Sequence, residues 1–530
     1  MDIGSTNIDQ KKAGHWGRIL FCLVLFFFGL IPYGGVRSTD SEIVFRLSES
    51  IATKGVFYLE HDLEGWSRFG VATGKGERLY PIFGPLESVL LVPFVEAGEL
   101  INETGWYHRT PSMIPISHCV GSGFQDYFDG VPIQNPRPHA LRFLAAVFNV
   151  LVTAFSVFVF WKILLLITGS IPASFLVSIL YAIGTHAWTY AGTFFSEPLA
   201  TLMVLLSFLS LLKAGQLAAP LQSVSGYRPA ILSGIWLGLA ITAHITAALF
   251  VPFFAGYFLW EDFGKHPTIL RTLGRTIVFG FGVFLLLFLL GLYNYFRFSS
   301  FFETGRTLGA ISGQMFGYGR FVSPFIGLYG LLFGAGKGIV FFMPILVLGT
   351  VLSKSFLREN RALFWVVASA VAFRILFIAA RSDWHGGFCT GPRYVIMIIP
   401  FFLIPIALWL RNGEATRFAK SYGIIALAGF FFSIEQFYFC LSEIFTFLQQ
   451  WKFQEMVAGF NVFDHNLIYL DWKYSPLIGM SRMRIAPFLL RYTNLSLGEL
   501  LMIGSFFLLV FFVILYLLLL RMPKSVQNGK

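Results

Sequence analysis

Long apolar runs dominate this sequence and restrict the folds that it can adopt. A bilayer core is crossed by a helix of about 17–25 mostly apolar residues, and lipid offers no partners for unpaired backbone groups. Twelve runs fit or approach that description, near 18–34, 140–162, 171–190, 197–213, 229–245, 247–260, 276–296, 325–353, 362–380, 393–410, 421–441 and 498–520. We therefore predict an all-α polytopic membrane protein with about twelve transmembrane helices. The run at 325–353 is long for one span and has glycines at 334–338 where it could break.

The composition excludes several other classes of protein. Charged residues make up only 13% of the 530 positions, about half the share of a soluble domain. A chain this apolar cannot cover a water-facing surface, so it is neither a soluble enzyme nor a disordered protein. Its net charge of +11 is not spread over a polar domain. We expect membrane lipid around the chain and no nucleic acid partner.

The basic residues predict the orientation of the helices. Lys and Arg collect in short cytoplasmic loops of membrane proteins. Lys11, Lys12 and Arg18 precede the first run, and Arg521 follows the last one. With twelve spans, the other basic loops are also cytoplasmic. These loops contain Lys162; Lys213 and Arg228; Lys265, Arg271 and Arg275; Lys354, Arg358 and Arg361; and Arg411, Arg417 and Lys420. The long segments 35–139, 297–324, 381–391 and 442–497 are then external.

This orientation predicts the organisation of the chain. Residues 1–17 form a cytoplasmic amino terminus, and no small-residue cleavage site follows the first run, which we expect to be a retained anchor. Residues 18–441 form the transmembrane core, including the external loop 35–139 with interfacial helices. Residues 442–497 form a further external loop, and 498–530 the last transmembrane helix with a cytoplasmic tail.

The first external loop begins with an acidic amphipathic segment, STDSEIVFRLSES, at 38–50. Its apolar residues share one helical face, which is typical of a helix lying in the membrane interface. Asp40 and Glu42 stand at its start. Thr39-x-x-Glu42 fits a capping box, and carboxylates favour the first turn of a helix. A carboxylate at the mouth of a helical bundle is also well placed to act as a general base.

A second interfacial or re-entrant helix is predicted within 78–101. Gly84-Pro85 marks a turn before an apolar stretch that is too short and too acidic to span. Tyr80 precedes this turn and Glu87 follows it, so both belong to the same external motif.

Two further external motifs contain isolated charges. Glu197 lies in Ser196-Glu197-Pro198, where ordinary helix-start chemistry explains the serine and proline and the helix dipole partly explains the carboxylate. A carboxylate at a bundle mouth is also a candidate for substrate or metal contact. Lys337 lies among three glycines in an apolar stretch. It either snorkels to the interface or holds a phosphate, although the spacing is not a P-loop.

The external loop 381–391 and the residues after it concentrate polar and aromatic side chains. Arg393 follows Pro392 and falls in the first turn of a helix, where the dipole disfavours a cation by about 0.3–1 kcal/mol. This placement predicts an anionic partner for Arg393, with Tyr394 beside it. Trp384 could stack on a sugar ring. His385 has no neighbouring metal-ligand spacing and is better explained as structural or substrate-orienting.

Together these motifs resemble a known family. The acidic Asp-x-Glu pair after the first span, Tyr80-Pro…Gly-Pro, Phe-Ser-Glu197-Pro, Asn-Tyr-Phe-Arg297-Phe…Glu-Thr-Gly and Trp384-x-Gly-Gly…Gly-Pro-Arg-Tyr follow one another in order. This order is similar to polyprenyl-phosphate-sugar glycosyltransferases of the GT-C fold. The nearest resemblance is to protein O-mannosyltransferases and bacterial lipid A aminoarabinose transferases.

The resemblance implies a GT-C-like core and an inverting sugar transfer. A polyprenyl-phosphate sugar would be the donor, and the acceptor a hydroxyl or amine of a glycolipid, glycan or protein. The reaction would take place on the periplasmic face of a bacterial inner membrane. Asp40 would be the base, with Glu42 as the alternative because Ser41 separates two acidic residues that are adjacent in many relatives. The substrate-binding candidates are Tyr80, Glu87, Glu197, Lys337, Trp384, His385, Arg393 and Tyr394.

Two matters stay open at the level of sequence. No cofactor is certain, and a divalent metal is possible because Asp40, Glu42 and Glu197 could gather one. The alternative function is a twelve-span secondary transporter or a lipid-carrier flippase. His244 and Arg374 are the nearest candidates for the midplane charges that a transporter needs, although the sequence has no convincing internal repeat.

Overall fold

The chain is described by a computed structural model over most of its length. The described residues are 10–33, 39–59, 70–104, 139–216, 227–263, 269–311, 320–411, 415–444, 447–448, 451, 466–479, 483, 485–487, 490 and 493–522. Large parts of the predicted external loops 35–139 and 442–497 therefore lie outside the described residues.

The described residues are almost entirely helical. The α-helices are α1 Gln10–Gly29, α2 Thr39–Lys54, α3 Leu86–Glu103, α4 His139–Thr168, α5 Ile171–Ile183, α6 His186–Ala191, α7 Ser196–Gln216, α8 Arg228–Ala243, α9 Val251–Asp262, α10 Ile269–Phe298, α11 Arg306–Ile311, α12 Pro324–Phe333, α13 Ile339–Phe342, α14 Pro344–Val351, α15 Ser353–Glu359, α16 Arg361–Ala379, α17 Ile399–Arg411, α18 Ala415–Leu441, α19 Leu467–Leu470 and α20 Leu497–Arg521. Short 3-10 helices cover Lys75–Glu77, Ile245–Phe250, Arg393–Ile398 and Trp472–Tyr474.

The predicted fold class, an all-α polytopic membrane protein, is confirmed. Within the described part of the chain, eight helices are long and apolar enough to cross a membrane: Lys11–Gly29, Leu144–Thr168, Ser196–Gly215, Thr272–Phe298, Arg361–Ala379, Arg393–Arg411, Phe418–Leu441 and Leu497–Arg521. Three shorter apolar helices occupy Ile171–Ile183, Arg228–Ala243 and Pro324–Phe333. Several of the twelve apolar runs thus fold as shorter helices with breaks between them.

The clearest break divides the run at 325–353. Helix α12 ends at Phe333, and Gly334–Gly338 form a tight turn before α13. The amide of Gly336 donates to the carbonyl of Tyr469 at 3.0 Å, so another segment of the chain satisfies the backbone that leaves the helix. A Cβ at Gly336 would stand 3.0 Å from Tyr469 Cα, which explains why a residue without a side chain lies here.

The two predicted interfacial helices are α2 and α3, and they pack on each other. Ser88 Oγ on α3 donates to the carbonyl of Val44 on α2 at 2.9 Å. Ser41 Oγ, in the first turn of α2, donates to the carbonyl of Phe194, just before α7. A small antiparallel pair, β1 Val71–Thr73 and β2 Leu79–Pro81, leads into α3. These contacts hold the start of α2 against the start of α7.

Helices α8 and α10 cross closely because glycines face each other. Gly282 on α10 is buried against α8, and a Cβ built there would lie 2.7 Å from the carbonyl oxygen of Ile231. Close backbone approach at small residues is a common way for helices to pack in membranes. The carboxyl-terminal part of α10, beyond this crossing, carries Asn294 and Arg297.

Substitution of the crossing glycine should weaken the fold. In Gly282→Ala the added methyl group meets backbone atoms that cannot rotate away, and overpacking of this kind costs about 1–3 kcal/mol. We expect a lower Tm in detergent than for the wild type. Gly280→Ala is the matched control, because it lies on the exposed side of the same helix and its Cβ would meet nothing within 4 Å. Equal Tm values for the two variants would contradict the packing argument.

Candidate functional site

A cavity of about 130 Å³ lies where α2 and α3 meet the ends of the longer helices. Its polar wall combines the first turns of α2 and α7, the end of α8, the end of α10 and the start of the 3-10 helix Arg393–Ile398. The polar and charged lining residues are Asp40, Ser41, Glu87, Ser196, Glu197, His244, Asn294, Arg297, Thr304, Arg306, Arg393 and Tyr394. Five of the residues predicted from the sequence, Asp40, Glu87, Glu197, Arg393 and Tyr394, are among them.

Arg393 is the central cation of this wall. Its Nε lies 3.1 Å from Glu197 Oε1, and its Nη2 lies 3.5 Å from Asp40 Oδ2. The side chain is buried, and its guanidinium carbon stands 4.6 Å from the centre of the Phe195 ring. A buried charge needs an ionic partner. These two carboxylates are the anionic groups that the structure places beside Arg393, and its contact with a substrate phosphate stays a prediction.

The two acidic residues of the first external loop have different surroundings. Asp40 faces the cavity with about a quarter of its side chain exposed (26%). Glu42, two residues later, is buried and accepts a hydrogen bond from Arg46 Nε at 2.8 Å, one turn along α2. Glu42 does not belong to the cavity lining. The geometry therefore favours Asp40 over Glu42 as the carboxylate that meets a substrate.

His244 is a residue of the site that the sequence analysis did not assign to it. It follows α8 and places Nε2 at 3.7 Å from Glu197 Oε1, while its Nδ1 lies 2.8 Å from Thr246 Oγ1. Burial, reinforced by the positive charges of Arg374 and Arg393, lowers the pKa of His244 well below its usual range. His244 is therefore a neutral imidazole at pH 7.

Arg297 brings a second cation to the cavity, from the end of α10. It donates to the carbonyl of Pro81 and to Asn294 Oδ1, the latter at 2.6 Å. The sequence order Asn294-Tyr-Phe-Arg297 gives the reason, because residues three apart on a helix lie on the same face. Its guanidinium also stacks on Tyr293 with 4.0 Å between its carbon and the ring centre. Arg306, exposed at the start of α11, is the third cation of the lining.

The charges of the lining do not cancel. Burial, reinforced by Glu197, raises the pKa of Glu87 to about 8, so Glu87 is mostly neutral at pH 7. With His244 also neutral, the arginines Arg297, Arg306 and Arg393 face the carboxylates of Asp40 and Glu197. One positive charge is in excess, which favours an anionic ligand.

Lys337 lies beside the site rather than in its lining. Its buried Nζ donates to the carbonyls of Gly387 and Cys389 at 2.9 and 2.6 Å. Burial lowers the pKa of this lysine. The lysine thereby ties the turn between α12 and α13 to the external loop that leads into Arg393.

The remaining predicted residues lie around the cavity. Trp384 is almost fully buried, with 2% of its surface exposed, and packs against Gly330 of α12. His385 stacks on Tyr469 with 4.3 Å between ring centres. Tyr80 packs edge-to-face on Phe298 at 5.7 Å. Trp384, His385 and Tyr80 are not lining residues, and their predicted contact with substrate stays a prediction.

Acidic, histidine and cysteine side chains are the usual protein ligands of metal ions. Among the residues that the structure describes, no three of them lie close enough together to hold a metal ion. Asp40 and Glu197 are instead bridged by the Arg393 guanidinium. The described residues thus do not form a ready divalent-metal site.

Loss of the buried carboxylate partner of Arg393 should destabilise the protein. Breaking a buried ion pair costs about 3–5 kcal/mol because the remaining charge is left without compensation. Asp40 remains near Arg393, so Glu197→Gln should fall at the lower end of this range, seen as a clear fall of Tm in detergent.

The matched control is a carboxylate in an exposed ion pair. Glu359 lies 2.6 Å from Arg411, with about a third of its side chain exposed (32%). Exposed pairs contribute about 0–1 kcal/mol, so Glu359→Gln should leave Tm nearly unchanged. An equal loss of Tm in both variants would show that the buried pair of Arg393 contributes no more to stability than the pair of Glu359 does.

Comparison with known proteins gives matches only at the level of structure. No protein-family model matches the chain. No curated protein sequence matches it significantly. The crystal structure of ArnT from Cupriavidus metallidurans bound to undecaprenyl phosphate has a TM-score of 0.47 and 14% identity, and the match covers 84% of this chain and 73% of that one.

Two further solved structures are similar. The protein O-mannosyltransferase complex of S. cerevisiae bound to the sugar donor has a TM-score of 0.35 and 14% identity, over 58% of this chain and 36% of that one. The archaeal oligosaccharyltransferase AglB from Archaeoglobus fulgidus, in complex with an inhibitory peptide and a dolichol-phosphate, has a TM-score of 0.44 and 10% identity. This match covers 87% of this chain and 60% of that one.

The matched structures are GT-C-fold glycosyltransferases, the class that the sequence motifs resemble. At TM-scores of 0.47 and below, the matches do not identify the activity of this chain.

Proposed function

We propose that this chain is a membrane glycosyltransferase that moves a sugar from a polyprenyl-phosphate donor to a hydroxyl or amine of a glycolipid, glycan or protein. The observation that carries the proposal is the cavity at the ends of the apolar helices, where Asp40 and Arg393 lie side by side. One group can accept a proton and the other can hold a phosphate. The apolar helices around this cavity suit the lipid tail of the donor.

The proposed reaction is an inverting displacement at the anomeric carbon. The acceptor oxygen or nitrogen forms a bond to this carbon while the bond from the carbon to the phosphate oxygen breaks. The electron pair of the broken bond leaves with the polyprenyl phosphate, and the proton of the acceptor passes to the Asp40 carboxylate. A positioned general base of this kind contributes typically 10²–10⁴-fold to a rate.

Arg393 stabilises the departing phosphate in this proposal. A guanidinium fixed where negative charge develops lowers the barrier without reorganising during the reaction. Glu197 holds Arg393 in place through Nε, while Asp40 lies near its Nη2. The positive excess of the cavity lining favours entry of the anionic donor headgroup. No step uses a metal ion.

The face of the membrane follows from the basic loops. They predict a cytoplasmic amino terminus, which places α2, α3 and the cavity outside. The proposed location is therefore the periplasmic face of a bacterial inner membrane. The bacterial assignment comes from the family resemblance alone.

Removal of the proposed base should abolish transfer. Asp40→Asn keeps the shape of the side chain but cannot take up the acceptor proton, so we expect kcat to fall at least about 100-fold. The assay uses purified protein with polyprenyl-phosphate mannose, glucose and aminoarabinose, and a crude lipid and glycan fraction as acceptor. Release of sugar-free polyprenyl phosphate is measured together with labelled acceptor.

Glu42→Gln decides between the two acidic residues. Because Glu42 pairs with Arg46 and lies outside the lining, we expect its substitution to reduce kcat much less than Asp40→Asn does. Near-normal transfer by Asp40→Asn, with loss of transfer in Glu42→Gln, would move the base assignment to Glu42.

A transporter or flippase remains the second candidate function. His244 and Arg374 were its candidate charges. Arg374 donates to the carbonyls of Thr246 and Tyr394, each at 2.9 Å, so it holds backbone together beside the cavity. If liposomes with the purified protein move the donor across the bilayer without releasing polyprenyl phosphate or labelling acceptor, the transferase proposal is wrong.

A further inference from the structure

Glu87 is a buried acid of the cavity that the proposed reaction does not use. It is the second residue of α3, and only 2% of its surface is exposed. Its Oε1 has no hydrogen-bond partner among the residues that the structure describes. Buried polar atoms in native proteins are nearly always paired. An unpaired carboxyl oxygen in the lining of a cavity therefore indicates a ligand group that completes the pairing.

The position of Glu87 at the start of a helix and its burial have opposite effects on its pKa. The first turn of a helix stabilises a carboxylate by about 0.3–1 kcal/mol. Removal from water favours the neutral acid, and the nearby negative charge of Glu197 acts in the same direction. Burial dominates here and raises the pKa of Glu87 to about 8.

The ionisable groups that share the cavity with Glu87 come from every surrounding element. They are Asp40 on α2, Glu197 on α7, His244 after α8, Arg297 on α10, Arg306 on α11 and Arg393. Helix α4, which also packs on α3, contributes no ionisable side chain to the lining. Two of the three arginines have partners in the structure: Arg393 lies beside Asp40 and Glu197, and Arg297 donates to Pro81 and Asn294.

We propose that the buried carboxyl group of Glu87, which lines the cavity with an unpaired oxygen, binds a hydroxyl group of the sugar that is transferred, and so acts as a specificity residue. The inference rests on the proposed function, because it assumes that a sugar enters this cavity. A neutral carboxyl group offers one O–H donor and further acceptor sites. That combination matches a sugar hydroxyl, which also both donates and accepts.

Donor binding should then depend on pH through Glu87. A sugar that displaces water from the cavity removes the remaining hydration of an ionised Glu87, so it binds the neutral form more tightly. The neutral form is present below pH about 8 and is lost as the pH rises through this value. The KM for the donor should therefore be low and constant below pH 7 and should rise about fivefold between pH 8 and pH 9.

The experiment measures kcat and KM for the donor between pH 6.5 and pH 9.5. It uses polyprenyl-phosphate mannose, or whichever of the three donors above the wild type transfers. Glu87→Gln keeps a neutral donor and acceptor at all pH values, so its KM should stay near the wild-type value at pH 7 and should not rise above pH 8. Glu87→Ala removes the hydrogen bond and should raise KM about tenfold at pH 7.

Two controls separate sugar recognition from a general effect on the cavity. Glu96→Gln changes an exposed carboxylate on the same helix and should show the wild-type pH profile. Inhibition by polyprenyl phosphate without a sugar should be equal in the wild type and Glu87→Ala at pH 7, since the lost contact belongs to the sugar.

The inference is overturned by a normal KM in Glu87→Ala, and also by either of two further results. One is a rise of KM above pH 8 that persists in Glu87→Gln, because another group then titrates. The other is an equal weakening of sugar-free polyprenyl phosphate and the donor in Glu87→Ala, which would mean that Glu87 only shapes the cavity. If the wild type transfers sugar but Glu87→Ala has a normal KM, the inference fails alone. If the wild type transfers no sugar, the proposed function itself fails.

Discussion

The buried ion pairs of Arg393 are the interaction on which the rest of the site depends. One guanidinium connects α2 through Asp40 and α7 through Glu197, while its own backbone starts the 3-10 helix before α17. Glu197 and Arg393 are both buried, so hydration cannot replace this ion pair at low cost. The three segments are therefore held in one arrangement, and the cavity is the space that this arrangement leaves between them.

Helix polarity explains why these charges can share one point. Asp40 and Glu197 each lie in the first turn of a helix, where backbone amides stabilise a carboxylate. Arg393 lies in the first turn of a separate short helix, and the backbone amides at the start of that helix disfavour a cation. The two carboxylates offset that cost. The starts of α2 and α7 thus favour the pairing, and the carboxylates that they carry compensate for the unfavourable position of Arg393.

The sequence predicts much of this arrangement, and particular residues show where prediction stops. The parity of basic loops places Asp40, Glu197 and Arg393 on one face of the membrane, and the structure brings them into contact. The sequence does not predict that His244 belongs to the site, because a single histidine between two apolar runs forms no local pattern. The sequence also does not predict that Asp40 and Glu42 have different surroundings. Which face of α2 meets α7 depends on the hydrogen bond between Ser41 and Phe194, which is distant in sequence.

Lys337 shows that a local sequence pattern does not identify the partners of a side chain. Its glycine-rich surroundings point to a phosphate, whereas its ammonium group lies on carbonyls of a loop about 50 residues away. Nothing in the local pattern names those carbonyls. A sequence motif identifies the donors that a segment can offer, but the fold decides which acceptors reach them.

The distance along the chain between the partners of Arg393 has a consequence for biogenesis. Asp40 enters the membrane system early in synthesis, whereas Arg393 emerges only after about 350 further residues. Chains are made amino terminus first, at about 5–20 residues per second. The carboxylate of Asp40 therefore waits for tens of seconds at the membrane surface before its cation arrives. The contacts that join α2 and α7 through Arg393 can therefore form only after synthesis has passed residue 393.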